Sequence, residues 1–130
     1  MQKYCLETSF LIDFLRGKEQ AVEKYKEMRK AELVTTSIVA WEILRGPKLA
    51  GRVKEYKDAL KLLEGLTVLP FTLLSSIIAA NIEFELRKRG KEVNLVDVLI
   101  AAVTIENKSK LVTKDESYKN IEDLEIETYP

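Results

Sequence analysis

Lys3-Tyr4-Cys5-Leu6-Glu7-Thr8-Ser9-Phe10-Leu11-Ile12-Asp13-Phe14-Leu15-Arg16-Gly17 is the stretch that decides the fold. Lys3 to Leu6, with Tyr, Cys and Leu in a row, has the character of a short buried strand. Thr8 and Ser9 are helix N-cap types. They open the apolar run Phe10 to Leu15, and Arg16-Gly17 closes it, as expected for a short helix with a glycine stop. An acid, Glu7, stands at the joint between strand and helix.

The same alternation continues outward. Lys18 to Lys30 is a charged surface helix with Ala21, Val22, Tyr25 and Met28 on its inner face. Glu32 to Thr35 is a second strand, and Ser37 caps an apolar helix, Ile38 to Arg45, stopped by Gly46-Pro47. Val53 to Leu63 is helical, with Gly65 after it. Thr67 to Leu69 is a third strand. Thr72 to Arg89 is a long helix in which Leu74, Ile77, Ile78, Ile82 and Leu86 recur at spacings of three and four. Asn94 caps a helix from Leu95 to Asn107, Lys110 to Thr113 is a fourth strand, and Ser117 to Asn120 makes one short helical turn. Leu124 to Thr128 is a last strand, at an edge. Short strands between helices predict an α/β domain with a parallel sheet of four to five strands covered on both faces. Ligands of such sheets bind beyond the carboxyl ends of the strands.

With 130 residues and no Gly/Ser/Pro-rich linker, the chain is expected to form a single domain over 1–130. Its 21 basic and 21 acidic residues cancel, which argues against a polybasic nucleic-acid binder and leaves a local basic patch open. Arg87-Lys88-Arg89-Gly90-Lys91 is such a cluster; it suits a solvated helix end and equally a phosphate backbone. No apolar run is long enough for a membrane span, and no signal-peptide core follows Met1. One cysteine, Cys5, excludes an internal disulfide, so a reducing cytoplasm is expected. The charge rests on 15 Lys and 16 Glu against 5 Asp, a bias that hints at a thermophilic source. There is no histidine. Ser-His-Asp and Cys-His chemistry and His-ligated zinc are therefore excluded, and an enzyme here must use carboxylates, lysine, hydroxyls or a hard metal ion.

A buried carboxylate is costly unless paired, hydrogen-bonded or bound to metal, so acids inside apolar runs are informative. Glu7 ends the first strand, and Asp115 follows Leu111-Val112-Thr113-Lys114. Glu42 interrupts Ile38-Val39-Ala40-Trp41-Ile43-Leu44, and Asp97 interrupts Leu95-Val96 and Val98-Leu99-Ile100-Ala101. A parallel sheet can gather all four at one rim, where they would repel. A divalent cation resolves the repulsion, and oxygen-only ligands suit Mg2+ or Mn2+. Such a cation activates water and clamps a phosphate, which gives hydrolysis without histidine.

Each residue also has a plainer use. Asp97 lies three after Asn94 and can serve the helix N-terminus. Glu42 can pair with Arg45. Asp115 can form an Asx turn, and Glu7 can be an ordinary strand-end residue. Asp13 is assigned a structural pair with Arg16, and Trp41 is assigned to the core. Ser9 and Thr113 lie where a hydroxyl would orient an acid or a water; as a helix cap and a strand residue they are equally explained.

These segments together resemble the PIN domain family. Leu6-Glu7-Thr8-Ser9 with its apolar helix resembles the family's opening, which usually begins with Asp. Glu42 matches its helical Glu, Asp97-Val98-Leu99-Ile100-Ala101-Ala102 its Asp-headed helix, and Leu111-Val112-Thr113-Lys114-Asp115 its last acid after a strand. Ile121-Glu122-Asp123-Leu124-Glu125-Ile126 resembles the end of a VapC-type chain. The resemblance spans essentially the whole sequence. It implies a three-layer PIN-like fold and a Mg2+- or Mn2+-dependent endoribonuclease, usually a homodimer and commonly paired with a VapB antitoxin. It further implies Glu7, Asp97 and Asp115 as metal ligands, Glu42 as an orienting acid for the attacking water, and Ser9 and Thr113 as supports. Glu7 departs from the family's Asp by one methylene, a displacement to which catalytic geometry is sensitive.

Two other readings belong to the family: an inactive interaction module in which Glu7 has displaced the metal, and an RNA-processing nuclease without an antitoxin. A phosphoacceptor receiver domain needs an Asp at the end of its central strand. Here that strand is Thr67–Leu69, and Pro70-Phe71-Thr72 follows it without an acid, so a receiver domain is rejected. The apolar face of Thr72 to Arg89 and the helix near Val53 to Leu63 are the expected sources of a dimer interface.

Overall fold

A computed structural model describes residues 2–129. Five strands form one parallel sheet: β1 (Lys3–Leu6), β2 (Glu32–Thr36), β3 (Thr67–Leu69), β4 (Lys110–Thr113) and β5 (Glu125–Thr128), in the spatial order β3-β2-β1-β4-β5. Helices α1 (Thr8–Leu15), α2 (Glu19–Met28), α3 (Ser37–Ala50), α4 (Val53–Glu64), α5 (Leu73–Lys88) and α6 (Leu95–Glu106) flank it. This is the α/β architecture expected from the sequence.

The strand order corrects one expectation. Thr67–Leu69 is not central but an edge, paired only with β2. β1 is central, with Cys5 opposite Val34 on one side and Leu111 on the other. Sequence alternation gives the order of elements along the chain, not their order in space. From β1 the chain builds outward through β2 and β3 on one side, then crosses to β4 and β5 on the other. The crevice between the carboxyl ends of β1 and β4 is thus the switch point where α/β folds place ligands. The acid after the central strand is Glu7.

The core explains why these segments hold together. Cys5, Leu6, Val34, Leu111 and Val112 of the middle strands are fully buried against Phe10 and Leu11 of α1 and Ile100–Val103 of α6. Removing a side chain such as Phe10 or Ile100 from water contributes about 1.5–3 kcal/mol. Helix α6 is apolar almost all round because it lies deep in the fold. The buried Thr35 hydroxyl donates to the Leu6 carbonyl at 2.7 Å, so it carries no desolvation penalty.

Several helix ends fall elsewhere than the sequence suggests. Helix α3 passes through Gly46-Pro47 and stops at Gly51, which takes the left-handed conformation at φ 71°. Proline fixes a helical φ, so its cost here reduces to one missing N–H and a local steric clash. Helix α3 continues through Pro47, held between α1 and α4, with Ile43 buried. The α3 cap is Thr36 rather than Ser37, its hydroxyl accepting from the Val39 amide at 3.0 Å. The α1 cap is Glu7 rather than Thr8 or Ser9. At the start of α5, the Thr72 and Ser75 hydroxyls both donate to Glu106, tying α5 to the end of α6.

Trp41 and Asp13 also correct the sequence reading. Trp41 is 53 % exposed, its ring under the Arg45 guanidinium at 5.6 Å, because it points away from the α3 face that buries Val39 and Ile43. Asp13 is buried, and its partners are Lys114, Lys18 and Tyr129 rather than Arg16. Arg16 is exposed at the helix end, whereas Lys114, just past β4, reaches the carboxylate across the fold.

Candidate active site

The sequence brought forward Glu7, Glu42, Asp97 and Asp115, and the fold delivers all four to the carboxyl-end rim. Glu7 follows β1, and Asp115 follows β4. Glu42 lies in the second turn of α3, and Asp97 in the first turn of α6.

Glu7 is the most buried of them, at 5 % exposure. Its Oε1 accepts from the Ser9 amide at 3.0 Å, the Ser9 hydroxyl at 2.5 Å and the Thr113 hydroxyl at 2.7 Å. Ser9 and Thr113 therefore orient an acid. Burial raises the Glu7 pKa above the ordinary carboxylate range, the hydrogen bonds from Ser9 and Thr113 oppose the rise, and Asp115 adds to it.

Asp97 separates its two possible uses cleanly. Asn94 is the helix cap, its side chain accepting from the Asp97 amide at 3.1 Å. The Asp97 carboxylate does not return that bond; it accepts from the Tyr118 hydroxyl at 3.0 Å. Burial, with the charges of Asp115, Glu7 and Glu42 facing it, pushes its pKa up to about 6 against the pull of the Tyr118 hydrogen bond.

Glu42 does not pair with Arg45. It accepts from the hydroxyl of Thr8, a helix-cap residue type that serves here to hold the acid. Asp115 is exposed and does form the turn that its type allows, Oδ1 accepting from the Ser117 amide at 2.9 Å and hydroxyl at 2.8 Å.

Tyr118 is the site residue that sequence reasoning missed. It lies in the short 3-10 turn Glu116–Asn120, is 1 % exposed, and its hydroxyl faces both Asp97 Oδ1 at 3.0 Å and Glu7 Oε2 at 3.4 Å. Burial and the charges of Glu7 and Asp97 raise its pKa and keep it protonated, so that it donates to the acids it faces.

No cation neutralises this group. Among the described residues, none of the four acids forms an ion pair, and Lys114, their neighbour in sequence, is turned to Asp13 at 2.7 Å. The donor set is all oxygen, which suits a hard divalent cation. Glu7, Asp97 and Asp115 are the residues that could hold one. As they stand, no three acids among the described residues converge into a ready-made cage. Beside Asp97 and Asp115 opens a cavity of about 510 Å³, lined also by Asn94, Ser117, Tyr118 and Asn120. Beside Glu42, α1, α3 and α4 enclose a groove of about 650 Å³ lined by Ile12, Leu15, Ile43 and Pro47 and by the charged Arg16, Arg52, Glu55 and Asp58. The Arg87–Lys91 cluster ends α5 as a solvated helix terminus; Arg87 pairs with Glu83, and Arg89 donates to the Asn120 carbonyl near the cavity. Among the described residues no helix is long and apolar enough to cross a membrane.

The fold resembles known structures. The chain is similar to one in the VapBC2 complex of Rickettsia felis bound to a DNA fragment from its promoter: 21% identity, TM-score 0.90, covering 99% of this chain and 100% of that one. A chain of the DNA-bound VapBC complex of Salmonella typhimurium matches at 25% identity and TM-score 0.80, covering 98% of each. VapC20 of Mycobacterium tuberculosis, a Sarcin-Ricin loop cleaving toxin, matches at 18% identity and TM-score 0.62, covering 89% of this chain and 92% of that one. Comparison with curated proteins gives no match. The PIN domain family matches residues 4–124, nearly the whole chain, and with the parallel sheet and its acidic rim this establishes that the protein belongs to the PIN domain family.

Proposed function

We propose that this protein is a VapC-type toxin, an endoribonuclease that depends on Mg2+ or Mn2+. The observation that carries the proposal is the set of four carboxylates from four separate elements, gathered at the switch point of the sheet and, among the described residues, paired with no cation. Such a concentration of like charge costs stability and is retained where an ion or a reaction needs it.

Glu7 and Asp97 would be the main ligands, with Asp115 a third, direct or through water. When bound, the cation would supply activation of water and stabilisation of charge on the scissile phosphate. The chain's own side chains do the remaining work. Ser9 and Thr113 hold Glu7, Thr8 holds Glu42, and Glu42 orients the attacking water. The cavity beside Asp97 takes the nucleotide next to the cleaved bond.

A VapB-type antitoxin is the proposed partner, because two of the similar chains come from VapBC complexes. The groove beside Glu42, which mixes apolar side chains with Arg16, Arg52 and Asp58, is a fitting place for it, since an occupant there also reaches the acidic rim. The proposed homodimer would use α5, where Leu73, Leu74, Ile77 and Phe84 stand exposed.

One observation favours a second reading. Glu7 Oε1 already accepts three hydrogen bonds, and the extra methylene lets it reach them. A carboxylate so occupied is less available to a metal, which suits an RNA-binding or protein-binding module with little nuclease activity. Cleavage of structured and single-stranded RNA with Mg2+, Mn2+ or EDTA separates the two. The nuclease reading expects metal-dependent cutting by the wild type, lost in Asp97→Asn. Absence of cutting by the wild type and by Glu7→Asp alike would favour the module.

A further inference from the structure

Tyr118 carries an observation that the proposed function does not use. Its hydroxyl is a single proton donor placed between two acids that have no cation, at 3.0 Å from Asp97 and 3.4 Å from Glu7. A buried tyrosine hydroxyl needs one acceptor, and a backbone carbonyl or a neutralised acid would satisfy it. Tyr129 shows that simpler solution in the same molecule: its hydroxyl donates at 2.9 Å to Asp13, which Lys114 and Lys18 already neutralise.

The mounting of Tyr118 is rigid. Its turn, Glu116–Asn120, is capped by Asp115, and the Ile121 amide closes on the Tyr118 carbonyl at 3.1 Å. The same five-residue turn therefore sets the position of the third acid and of the donor that touches the other two. Because the hydroxyl takes one oxygen of Asp97, it fixes the rotation of that carboxylate and so the direction of its second oxygen. With that proton directed at Asp97, the same hydroxyl lies 3.4 Å from Glu7 Oε2 and spaces the two carboxylates.

We infer that Tyr118 is a positioning residue that holds Glu7 and Asp97 in the mutual arrangement that receives a divalent cation. The inference rests on the proposal that these acids bind a metal. Outer hydrogen-bond partners of metal-binding side chains typically set affinity within a factor of about 10–100. Loss of the hydroxyl alone should cost an effect of that size.

The test is a Mn2+ titration of the full chain, free Mn2+ being read by electron paramagnetic resonance, for wild type, Tyr118→Phe and Tyr129→Phe. The expected result is a Kd for Mn2+ raised about 10-fold or more in Tyr118→Phe, with Tyr129→Phe within about twofold of wild type. A second readout separates positioning from damage to the fold: saturating Mn2+ should restore most RNA cleavage to Tyr118→Phe, as it would not to a chain with a disordered site. Equal or tighter Mn2+ binding by Tyr118→Phe, with the wild type binding, would overturn the inference alone. A wild type that takes up no Mn2+ would overturn the metal reading, and the inference with it.

Discussion

Glu7 and Asp13 lie six residues apart, both 5 % exposed, and each accepts a hydrogen bond from a tyrosine hydroxyl. Their surroundings are opposite. Asp13 is met by Lys114 at 2.7 Å and Lys18 at 3.5 Å. Burial alone would raise its pKa, but the hydrogen bonds from Lys114 and Tyr129 and the two lysine charges outweigh burial and hold it below the ordinary range. Glu7 is met by hydroxyls, an amide and other acids, and burial with Asp115 holds its pKa above that range. The carboxylate of Asp13 is neutralised by lysines, whereas that of Glu7 is left without a cation, as the proposed reaction requires. Burial alone does not distinguish the two, and the sign of the neighbouring charge does.

The sharpest way to break this contrast is to remove one acid from each side. Asp97→Asn keeps a group that can accept from Tyr118, so the fold should survive. RNA cleavage with Mg2+ should fall at least ~100-fold, because a metal-held transition state is worth several kcal/mol and each 1.36 kcal/mol is tenfold. Single-turnover cleavage of a labelled RNA measures it. Residual activity close to wild type would remove Asp97 from the site.

Asp13→Asn should do the reverse. Cleavage should persist, and urea unfolding should show a loss of about 2 kcal/mol. Breaking a fully buried pair typically costs about 3–5 kcal/mol, and the smaller figure reflects lysine partners that are partly in water. An Asp13→Asn protein of normal stability but without activity would mean that the two sides had been assigned the wrong way round.

Much of this contrast was legible before the structure, and the illegible part has physical causes. Glu42 and Asp97 stood out because an acid within an apolar run carries a desolvation cost that something must offset. Glu7 and Asp115 stood out because strands point their carboxyl ends at the ligand site. Tyr118 gave no such signal: Glu116-Ser117-Tyr118-Lys119-Asn120 looks like a surface turn, and only tertiary packing decides where its hydroxyl points. The same blindness misplaced Trp41, whose apolar character does not dictate burial, and paired Asp13 with the nearest arginine rather than with a lysine about a hundred residues away. Pro47 has the strong local signature of a helix stop, yet α3 runs through it to Gly51, held between α1 and α4. The strand order was out of reach, since nothing local says on which side of β1 the chain returns.

The two sides should also respond to pH with opposite signs. With EDTA present, the folded chain keeps a proton on Asp97 up to about pH 6 that the unfolded chain releases near its ordinary 3.8. Stability should therefore fall as pH rises through that interval, by on the order of 1 kcal/mol once its partial exposure is allowed for. Glu7, also raised, acts in the same direction. Asp13 is lowered, so its contribution is complete above the ordinary value and is lost as pH falls through its folded value. Urea midpoints from pH 3 to 8 test this. The decline above pH 4 should shrink in Asp97→Asn and on addition of Mn2+, and the acid-side loss should shrink in Asp13→Asn.

The smallest effect asks whether Lys114 belongs wholly to the Asp13 side. It lies directly between Thr113 and Asp115 in sequence, so a role in holding a substrate phosphate is the natural alternative. Its amine points instead to Asp13 and is partly exposed, while its backbone amide meets the Ser9 hydroxyl at 3.4 Å. Lys114→Met keeps the aliphatic length and the backbone contact and removes only the charge. Because Lys18 and Tyr129 still serve Asp13, the loss of stability should be no more than about 1 kcal/mol. The KM for RNA should not change, and its salt dependence should stay as in the wild type, since no phosphate contact has been removed. A raised KM with a shallower salt dependence would move Lys114 into the site, and the acids there would then have a cation of their own.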